Sequence, residues 1–365
     1  MINRAFHLVA RRIDAPLMVT IALAACLGLL VIYSASGGHS FDRVLGQMRN
    51  LGVALAALWV VANIPPQAIM RLAIPVYVGG LLLLIGVALF GEIRNGARRW
   101  LNLGFTTIQP SEIMKIAAPL MLAWYFHIHR EALRFRHFAV AAVLLAIPVG
   151  LVVRQPDLGT AILVFASGFF VIFLAGLSWK VIGALAVGGA ASLPLVWGLL
   201  HDYQRRRVLT LLDPQQDPLG AGYHIIQSTI AIGSGGILGK GWLEGTQSQL
   251  DFIPERSTDF ILAVFAEEFG LVGVLLLVTL YLTIVSRGLY IAAKASTPFG
   301  RLTAGALTLT FFTYAFVNMG MVSGILPVVG VPLPLMSYGG TALLSIMMGF
   351  GILMSIWTHR HLVSS

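Results

Sequence analysis

The sequence predicts an all-α, polytopic integral membrane protein with about ten transmembrane helices and one large extracytoplasmic loop. Of its 365 residues, 58% are hydrophobic and only 11% are charged, whereas an average soluble domain carries about 25% charged residues. The mean hydropathy of +0.86 agrees with this. Runs of about 20 mainly apolar residues, the length that crosses a bilayer, recur along the chain. Composition therefore excludes an ordinary soluble enzyme and a disordered chain.

Ten apolar runs qualify as membrane spans. They lie near 15–36, 48–64, 68–90, 111–128, 138–153, 158–176, 179–200, 259–286, 302–325 and 338–357. The first run follows three arginines, as the core of a signal peptide would, but its apolar core is too long for one. We therefore interpret it as a membrane helix.

The basic residues predict the orientation of the chain. An even number of spans places both termini on one side of the membrane. Outside the long loop at 201–258, the loops on the side of the termini hold twelve Lys and Arg residues, and those on the other side hold six. Cytoplasmic loops carry the excess of basic residues, which favours cytoplasmic termini in a bacterial inner membrane. The net charge of +9 then reflects topology, and we expect no nucleic-acid partner.

The chain is predicted to form a single membrane domain, 1–365, because it shows no solenoid repeat and no low-complexity tract. The loop at about 201–258, between the seventh and eighth spans, is its main water-facing part. An apolar helical stretch at 223–232 indicates that this loop is ordered and packed on the membrane surface. Its glycine-rich run at 233–241 fails the phosphate-loop and dinucleotide patterns, so we expect a tight turn there.

Metal sites built from protein side chains are not indicated. The single cysteine, Cys26, excludes an intramolecular disulfide and a cysteine-based metal site. The nine histidines show no metal-ligand spacing. The ligands of any bound metal are therefore unknown at this point.

Ionisable residues inside the predicted spans are informative because each is costly in a bilayer without a partner. Glu112 and Lys115 open the fourth span after Ser111, which we expect to cap the helix. Residues three apart share a helix face, so these two side chains can pair. One interpretation is a structural ion pair, and the other is a polar wall that faces a charged substrate. Glu267 and Glu268, early in the eighth span, cannot both face lipid.

Two aspartates stand at predicted helix starts. Asp157 opens the sixth span and Asp259 opens the eighth, where the long loop returns to the membrane. Each can be a simple N-cap, or a carboxylate held at the membrane–water boundary for a functional purpose. The Arg98-Arg99-Trp100 run is typical of an interfacial element, with the arginines turned to water or phosphate.

Several motifs resemble the SEDS family (shape, elongation, division and sporulation), whose members include RodA and FtsW. The most specific is the stretch from Asn318 to Ala342 with its prolines and glycines, Asn-Met-Gly-Met-Val-Ser-Gly-Ile-Leu-Pro-Val-Val-Gly-Val-Pro-Leu-Pro-Leu-Met-Ser-Tyr-Gly-Gly-Thr-Ala. Further matching motifs begin at Gln109, Gln155, Leu212 and Pro254. The resemblance covers about 15–360, and Gly-Thr-Gln-Ser-Gln at 245–249 is closer to the RodA branch than to the FtsW branch.

The resemblance implies a ten-span peptidoglycan glycosyltransferase that polymerises lipid II during rod-shape elongation. It implies that Asp259 is the essential catalytic carboxylate. It also implies that a substrate cavity includes Glu112, Lys115 and Asp157, and we add the following candidates for substrate binding: Gln109, Ser111, Arg98 and Arg43. The implied partners are a class B penicillin-binding transpeptidase with a single span, rod-complex membrane proteins, lipid II and membrane lipid.

The expected chemistry suits a single carboxylate. Glycan polymerisation joins a sugar 4-hydroxyl to the anomeric carbon of a donor, and a lipid diphosphate leaves. A general base contributes about 10²–10⁴-fold to such a step, and Asp259 is our candidate. The diphosphate needs positive charge from Arg, Lys or a divalent cation such as Mg²⁺ or Mn²⁺. Two alternatives remain open from sequence: a flippase for lipid-linked oligosaccharides, and a non-catalytic scaffold for a transpeptidase.

Overall fold

A computed structural model describes residues 13–38, 41–94, 97–102, 107–131, 133–155, 157–199, 202–217, 220–250 and 252–360. Ten long helices occupy these ranges, and each overlaps one of the ten predicted spans. They are α1 (Ala15–Ala35), α2 (Asp42–Asn63), α3 (Pro66–Phe90), α4 (Pro110–Ile128), α5 (Phe135–Val153), α6 (Leu158–Leu174), α7 (Trp179–Leu199), α11 (Ile261–Ala293), α12 (Pro298–Val322) and α13 (Thr341–Thr358).

Length and composition support a multi-pass membrane protein. Seven of these helices are long and apolar enough to cross a membrane by themselves: α1, α2, α3, α5, α11, α12 and α13. The helices α6 and α7 are shorter apolar helices within the described residues, and α4 carries the buried Glu112 and Lys115. The predicted fold class is therefore confirmed.

Short elements fill the segment between α7 and α11. They are α8 (Asp202–Leu212), a 3₁₀ turn (Pro214–Gln216), α9 (Ala221–Gly235) and the single-turn α10 (Thr246–Gln249). The helix α9 contains the apolar stretch predicted at 223–232, and it packs along α11. The long segment is thus folded against the membrane helices in the part that the structure describes.

A small antiparallel sheet, not predicted from the sequence, joins α3 to α4. It consists of β1 (Glu92–Arg94), β2 (Ala97–Asn102) and β3 (Thr107–Ile108) in the order β1–β2–β3. The strands β1 and β3 have too few residues for a period-2 hydrophobic pattern, and the six residues of β2, Ala-Arg-Arg-Trp-Leu-Asn, do not alternate between apolar and polar. The sheet packs on α3 and α4, which brings its side chains to the start of α4.

The helix α12 lies at the centre of the bundle, packed on α4, α6 and α11. A larger share of its residues is buried than in the other six long apolar helices. By contrast, α7 is exposed along most of its described length. An apolar cleft of about 870 Å³ separates α7 from α5 and α6. Because α12 is central, buried polar side chains on α4, α12 and α13 meet in the interior of the bundle.

The helix α11 is broken at Gly270, which has a φ of 62°. Because the break removes local helical bonds, the glycine-rich turn at 236–241 supplies replacements. Four backbone hydrogen bonds of 3.0–3.1 Å join this turn to the residues around the break in α11. The donors and acceptors are Lys240 N to Glu267 O, Gly241 N to Glu268 O, Leu271 N to Gly236 O and Val272 N to Ile237 O. Broken helices occur in membranes where neighbouring protein satisfies the freed backbone groups. The predicted tight turn is present, and it completes the interrupted helix.

Candidate functional site

Asp259 lies in the irregular turn at 254–260, directly before the first half of α11. The helix begins at Ile261 with Phe260 as its N-cap, and no side chain caps it. The interpretation of Asp259 as a helix cap is therefore wrong. Its half-buried carboxylate lies beside Gly330, where a Cβ, if the residue had one, would be 3.4 Å from Asp259 Oδ2. The carboxylate is thus available for another role.

The surroundings of Asp259 favour its protonated form more than water does. The pKa of the Asp259 carboxyl is raised to about 6, mainly by burial and also by the neighbouring Glu255, while the Arg99 guanidinium acts in the opposite direction. A carboxylate with a pKa close to the working pH is better suited to take a proton than one with an ordinary pKa. Burial is thus the largest influence on the protonation of Asp259.

Asp157 is both a helix cap and part of a charged cluster. As the N-cap of α6, its Oδ1 accepts from Thr160 N at 3.1 Å, and its Oδ2 accepts from Thr160 Oγ1 at 2.9 Å. Its Oδ2 also lies 3.6 Å from Arg99 Nη1 and 3.4 Å from Gln109 Nε2. The two interpretations of Asp157 are thus compatible with each other.

Of the two adjacent arginines, Arg99 and not Arg98 faces the carboxylates. Successive side chains of a strand point to opposite sides, and Arg98 donates instead to the Ala88 carbonyl at 3.2 Å. Arg99 retains a buried Nε with no partner among the described residues. The cationic group that we expected Arg98 to supply to the site is therefore supplied by Arg99. The alternation of side chains along a strand could have indicated this choice if the strand had been recognised in the sequence.

The stretch at 329–331 connects the two aspartates. The start of α6 at Gly159 packs against the Val329 carbonyl, and the next residue, Gly330, faces Asp259. Because Arg99 bonds to Asp157 and also acts on Asp259, these three side chains belong to one site. We call Asp157, Arg99 and Asp259 the boundary cluster.

Glu112 and Lys115 form a closed network inside the bundle. Lys115 Nζ lies 2.5 Å from Glu112 Oε1 and also bonds to the Tyr314 hydroxyl. Ser345 Oγ donates to Glu112 Oε2 at 2.7 Å. Lys115 is 4% exposed and Glu112 is 9% exposed. A small cavity of about 30 Å³ adjoins Lys115, Tyr314 and Ser345. The geometry favours a self-neutralised pair beside a small cavity whose other lining is mainly apolar.

The remaining predicted residues take different positions. Ser111 does not cap α4, because the helix begins at Pro110 with Gln109 as N-cap, as is common when proline occupies the first turn. Ser111 is buried one residue further on. Arg43 Nη1 donates to Ser257 Oγ at 2.8 Å, so it reaches the turn that carries Asp259.

Two further residues near Asp259 were not among our candidates. The His224 ring stacks on Phe260 with 5.3 Å between ring centroids, and its Nδ1 has no partner among the described residues. Burial lowers the pKa of His224, while Glu255 and Asp217 oppose the shift. The turn is strained at Glu255, whose φ of 52° is rare for a residue with a side chain. His224 lies within the matching motif that begins at Leu212, which was the signal available.

Glu267 and Glu268 both point into the protein. Glu267 is fully buried, pairs with Lys240 Nζ at 2.7 Å, and accepts from the backbone nitrogens of Gln247 and Ser248 at 3.0 and 3.3 Å. Glu268 bonds to Ser34 and accepts from Leu243 N at 3.3 Å. These carboxylates hold the 240–249 segment against the broken helix.

No group of three or more His, Cys, Asp or Glu residues is placed to hold a metal ion in the part of the chain that the structure describes. The carboxylate oxygens of Asp157 are nevertheless the donor type that Mg²⁺ and Mn²⁺ prefer. A divalent cation there would need further ligands from substrate phosphates or water.

Comparisons with known proteins agree with the resemblance. The family model for cell cycle proteins of the FtsW, RodA and SpoVE type matches residues 15–362. The peptidoglycan glycosyltransferase MrdB of Escherichia coli K12 is 56% identical over 353 residues, covering 96% of this chain and 95% of its own. A probable peptidoglycan glycosyltransferase FtsW of Geobacter metallireducens is 37% identical over 95% of both chains.

Solved structures match the fold as well. A chain of a peptidoglycan synthase complex, studied for how polymerization and crosslinking are coordinated, has a TM-score of 0.81 at 32% identity, over 95% of this chain and 98% of its own. The rod shape determining protein RodA of Thermus thermophilus has a TM-score of 0.73 at 30% identity, over 95% of this chain and 97% of its own. The chain therefore belongs to the family of FtsW, RodA and SpoVE cell cycle proteins.

Proposed function

We propose that this protein is a peptidoglycan glycosyltransferase that polymerises lipid II into glycan strands, with Asp259 as the general base. The observation that carries the assignment of Asp259 is its half-buried carboxylate, which lies beside Gly330, experiences the charge of Arg99 and does not cap α11. The activity itself is that of the MrdB relatives to which the chain is 56% identical.

The proposed step uses one base and one cationic group. Asp259 takes the proton of the acceptor 4-hydroxyl while that oxygen bonds to the donor anomeric carbon. The bond between this carbon and the diphosphate oxygen breaks, and the lipid diphosphate leaves with the electron pair. Arg99, with its unpaired Nε, and Arg43, which donates from α2 to Ser257 on the Asp259 turn, would stabilise the charge that develops on the diphosphate.

A divalent cation is part of this proposal only as an aid to the leaving group. Mg²⁺ is commonly held by one or two carboxylates together with substrate phosphates. Asp157 is the carboxylate of the boundary cluster that could serve this purpose, because Asp259 must stay free to accept the proton. When bound, the ion would neutralise diphosphate charge, and Arg99 would share that function.

The membrane location, the orientation and the partners of the protein are also part of this proposal. We propose the bacterial inner membrane, with both termini cytoplasmic and the 202–260 segment outside. That arrangement would place the boundary cluster where a lipid-linked sugar has its tail in the bilayer and its head in water. The peptidoglycan synthase complex among the structural neighbours supports a class B penicillin-binding transpeptidase as partner, and we propose further rod-complex proteins beside it.

A flippase is the second candidate, and the broken helix α11 is the observation in its favour, because interrupted helices line transport sites in many carriers. Here, however, the carboxylates at the break are engaged by the 240–249 segment. Supplying lipid II directly to purified protein separates the two functions. A flippase alone, or a scaffold alone, yields no glycan polymer.

The test is lipid II polymerisation by the purified Asp259→Asn variant in complex with its transpeptidase. We expect a loss of about 100-fold or more, the usual contribution of a general base. Glu244→Gln serves as the matched control, because Glu244 is an exposed acid in the same segment, and it should retain activity. Wild-type polymerisation by a well-folded Asp259→Asn variant would refute the assignment of Asp259.

A further inference from the structure

Three consecutive backbone carbonyls in the Asp259 turn are each held by a donor from the second half of the chain. Tyr338 N donates to Ser257 O at 2.8 Å, Ser337 Oγ donates to Thr258 O at 2.6 Å, and Asn318 Nδ2 donates to Asp259 O at 2.8 Å. Asn318 lies near the end of α12, and the other two donors precede α13. All three donors belong to the signature stretch from Asn318 to Ala342, and the proposed function assigns none of the three a role.

The turn at 254–260 needs such support, because it has no regular secondary structure of its own. Its internal bonds run from Thr258 N and Phe260 N to the Glu255 carbonyl, at 3.0 and 3.2 Å. Glu255 adopts a left-handed backbone, which costs free energy in a residue with a Cβ. The conformation therefore depends on contacts from outside the turn.

Asn318 ties the turn to the opposite wall of the site. Its side chain is fully buried, and Nδ2 donates both to Asp259 O and to Val331 O, the latter at 2.7 Å. Val331 follows Gly330, which faces the Asp259 carboxylate. An amide nitrogen has two protons to donate, and here both are used to fix the spacing between Asp259 and the stretch at 329–331.

Ser337 is itself fixed on both sides. Its Oγ accepts from Leu333 N at 2.8 Å while it donates to Thr258 O. Gln47 on α2 donates to Ser337 O at 3.1 Å and accepts from Gly339 N at 3.1 Å. The hydroxyl is therefore held by a second layer of bonds, and its position is not free to drift.

We propose that Asn318 and Ser337 are positioning residues for glycosyl transfer, which hold the backbone at 257–259 so that the Asp259 carboxylate stays aimed beside Gly330. The inference rests on the proposed role of Asp259 as base. Neither residue touches substrate in this proposal, and each acts through the backbone of the turn. A misplacement of about 1 Å at a reacting group can cost about 10²-fold in rate.

The proposal predicts a specific kinetic signature. Loosening the turn moves the base without removing substrate contacts, so kcat falls while KM stays nearly constant. It also admits water to Asp259, whose pKa is raised to about 6 mainly by burial. The pKa then falls toward its ordinary value, with Glu255 and Arg99 still acting on it, and the acid limb of the pH–rate profile moves to lower pH.

The experiment measures lipid II polymerisation by the full chain with its partner, from about pH 5 to 8, for Asn318→Ala and Ser337→Ala. We expect kcat to fall about 100-fold and about tenfold respectively, with KM within about twofold and the acid limb shifted down. Ser337→Thr keeps the hydroxyl and should restore most activity. Ser355→Ala is the matched control, because Ser355 is a buried serine that donates to Ile64 O at 2.5 Å far from the turn.

Each outcome decides the matter. Unchanged kcat and pH profile in folded Asn318→Ala and Ser337→Ala, with Asp259→Asn inactive, overturns this inference and leaves the proposed function standing. Activity in Asp259→Asn overturns both. A fall in kcat without any shift of the acid limb, matched by Ser355→Ala, indicates general destabilisation and also overturns the inference. If Asn318→Ala fails to fold, Ser337→Ala and its threonine rescue decide alone.

Discussion

If Asp259 is the general base, as we propose, its protonation should control the rate of polymerisation. Its pKa is raised to about 6 by burial, and Glu255 contributes in the same direction. A general base must be unprotonated to accept a proton, so kcat/KM should fall as the pH drops through about 6 and should be flat above it. The measurement is polymerisation rate against pH with purified complex. A limb near pH 4 would show that the carboxylate is solvated and would contradict the burial argument.

The Glu112–Lys115 pair allows a test of structure against function. Lys115→Met leaves a buried carboxylate without its cation, which should cost about 3–5 kcal/mol of stability. Adding Glu112→Gln removes the stranded charge and should recover much of that loss. Thermal unfolding in detergent measures both variants.

The double variant then separates the two interpretations of this pair. If the pair is purely structural, Glu112→Gln with Lys115→Met polymerises lipid II at nearly the wild-type rate. A well-folded but inactive double variant would instead place Glu112 and Lys115 in the substrate cavity. In the wild type, Tyr314 bonds to Lys115 and Ser345 bonds to Glu112, so both results concern a pair that already has protein partners.

The sequence indicated the two aspartates of the boundary cluster but not the arginine that accompanies them. Asp157 and Asp259 were identified by their positions at helix starts. Arg99 was not separated from Arg98, because the choice between neighbours depends on recognising a short strand in a connecting segment. Asn318 was visible only as part of a motif, since nothing in a sequence shows which carbonyls an amide will meet.

At the scale of elements, α11 shows how two distant segments complete one another. Its second half, 271–293, has about the length needed to cross a bilayer, and its first half, 261–269, is enclosed by protein almost throughout. The glycine-rich turn at 236–241 supplies the backbone partners that the break at Gly270 requires. Hydrophobicity alone presents this region as one continuous span.

The break in α11 leads us to expect that replacing its glycine by alanine lowers the stability of the protein. Gly→Ala inside a helix commonly stabilises by about 1 kcal/mol, but Gly270 has a φ of 62° and a Cβ there would lie 2.6 Å from the Ile237 carbonyl. Gly270→Ala should therefore destabilise the protein by about 1–3 kcal/mol. Thermal unfolding in detergent provides the measurement.

Gly52→Ala is the control for this prediction, because Gly52 lies within α2 and its Cβ would meet no atom within 4 Å. Its stability should stay within about 1 kcal/mol of the wild type. Equal behaviour of the two variants would mean that the turn at 236–241 does not hold the break closed.

At the scale of the whole molecule, the ten predicted spans, an even number, would place the two ends of the chain on one side of the membrane. Single cysteines in a Cys26→Ser background can test this with a membrane-impermeant maleimide on intact cells. Gln216→Cys, exposed in the segment between α7 and α11, should be labelled, and Ser296→Cys, exposed between α11 and α12, should not. The reverse pattern would invert the proposed orientation, and lysed cells supply the control in which both react.

The sequence by itself determined that this is a helical membrane protein of about ten spans, where those spans lie, and which acids are candidates for chemistry. It could do so because the cost of polar groups in a bilayer is local and leaves a pattern that a single sequence displays. Only the tertiary structure decided that Arg99 joins Asp157 and Asp259, that Glu267 holds a distant turn, and that Asn318 anchors the turn that carries Asp259. Those outcomes depend on hydrogen bonds between residues far apart in the chain, whose partners are fixed by how the helices pack and not by any property of the neighbouring sequence.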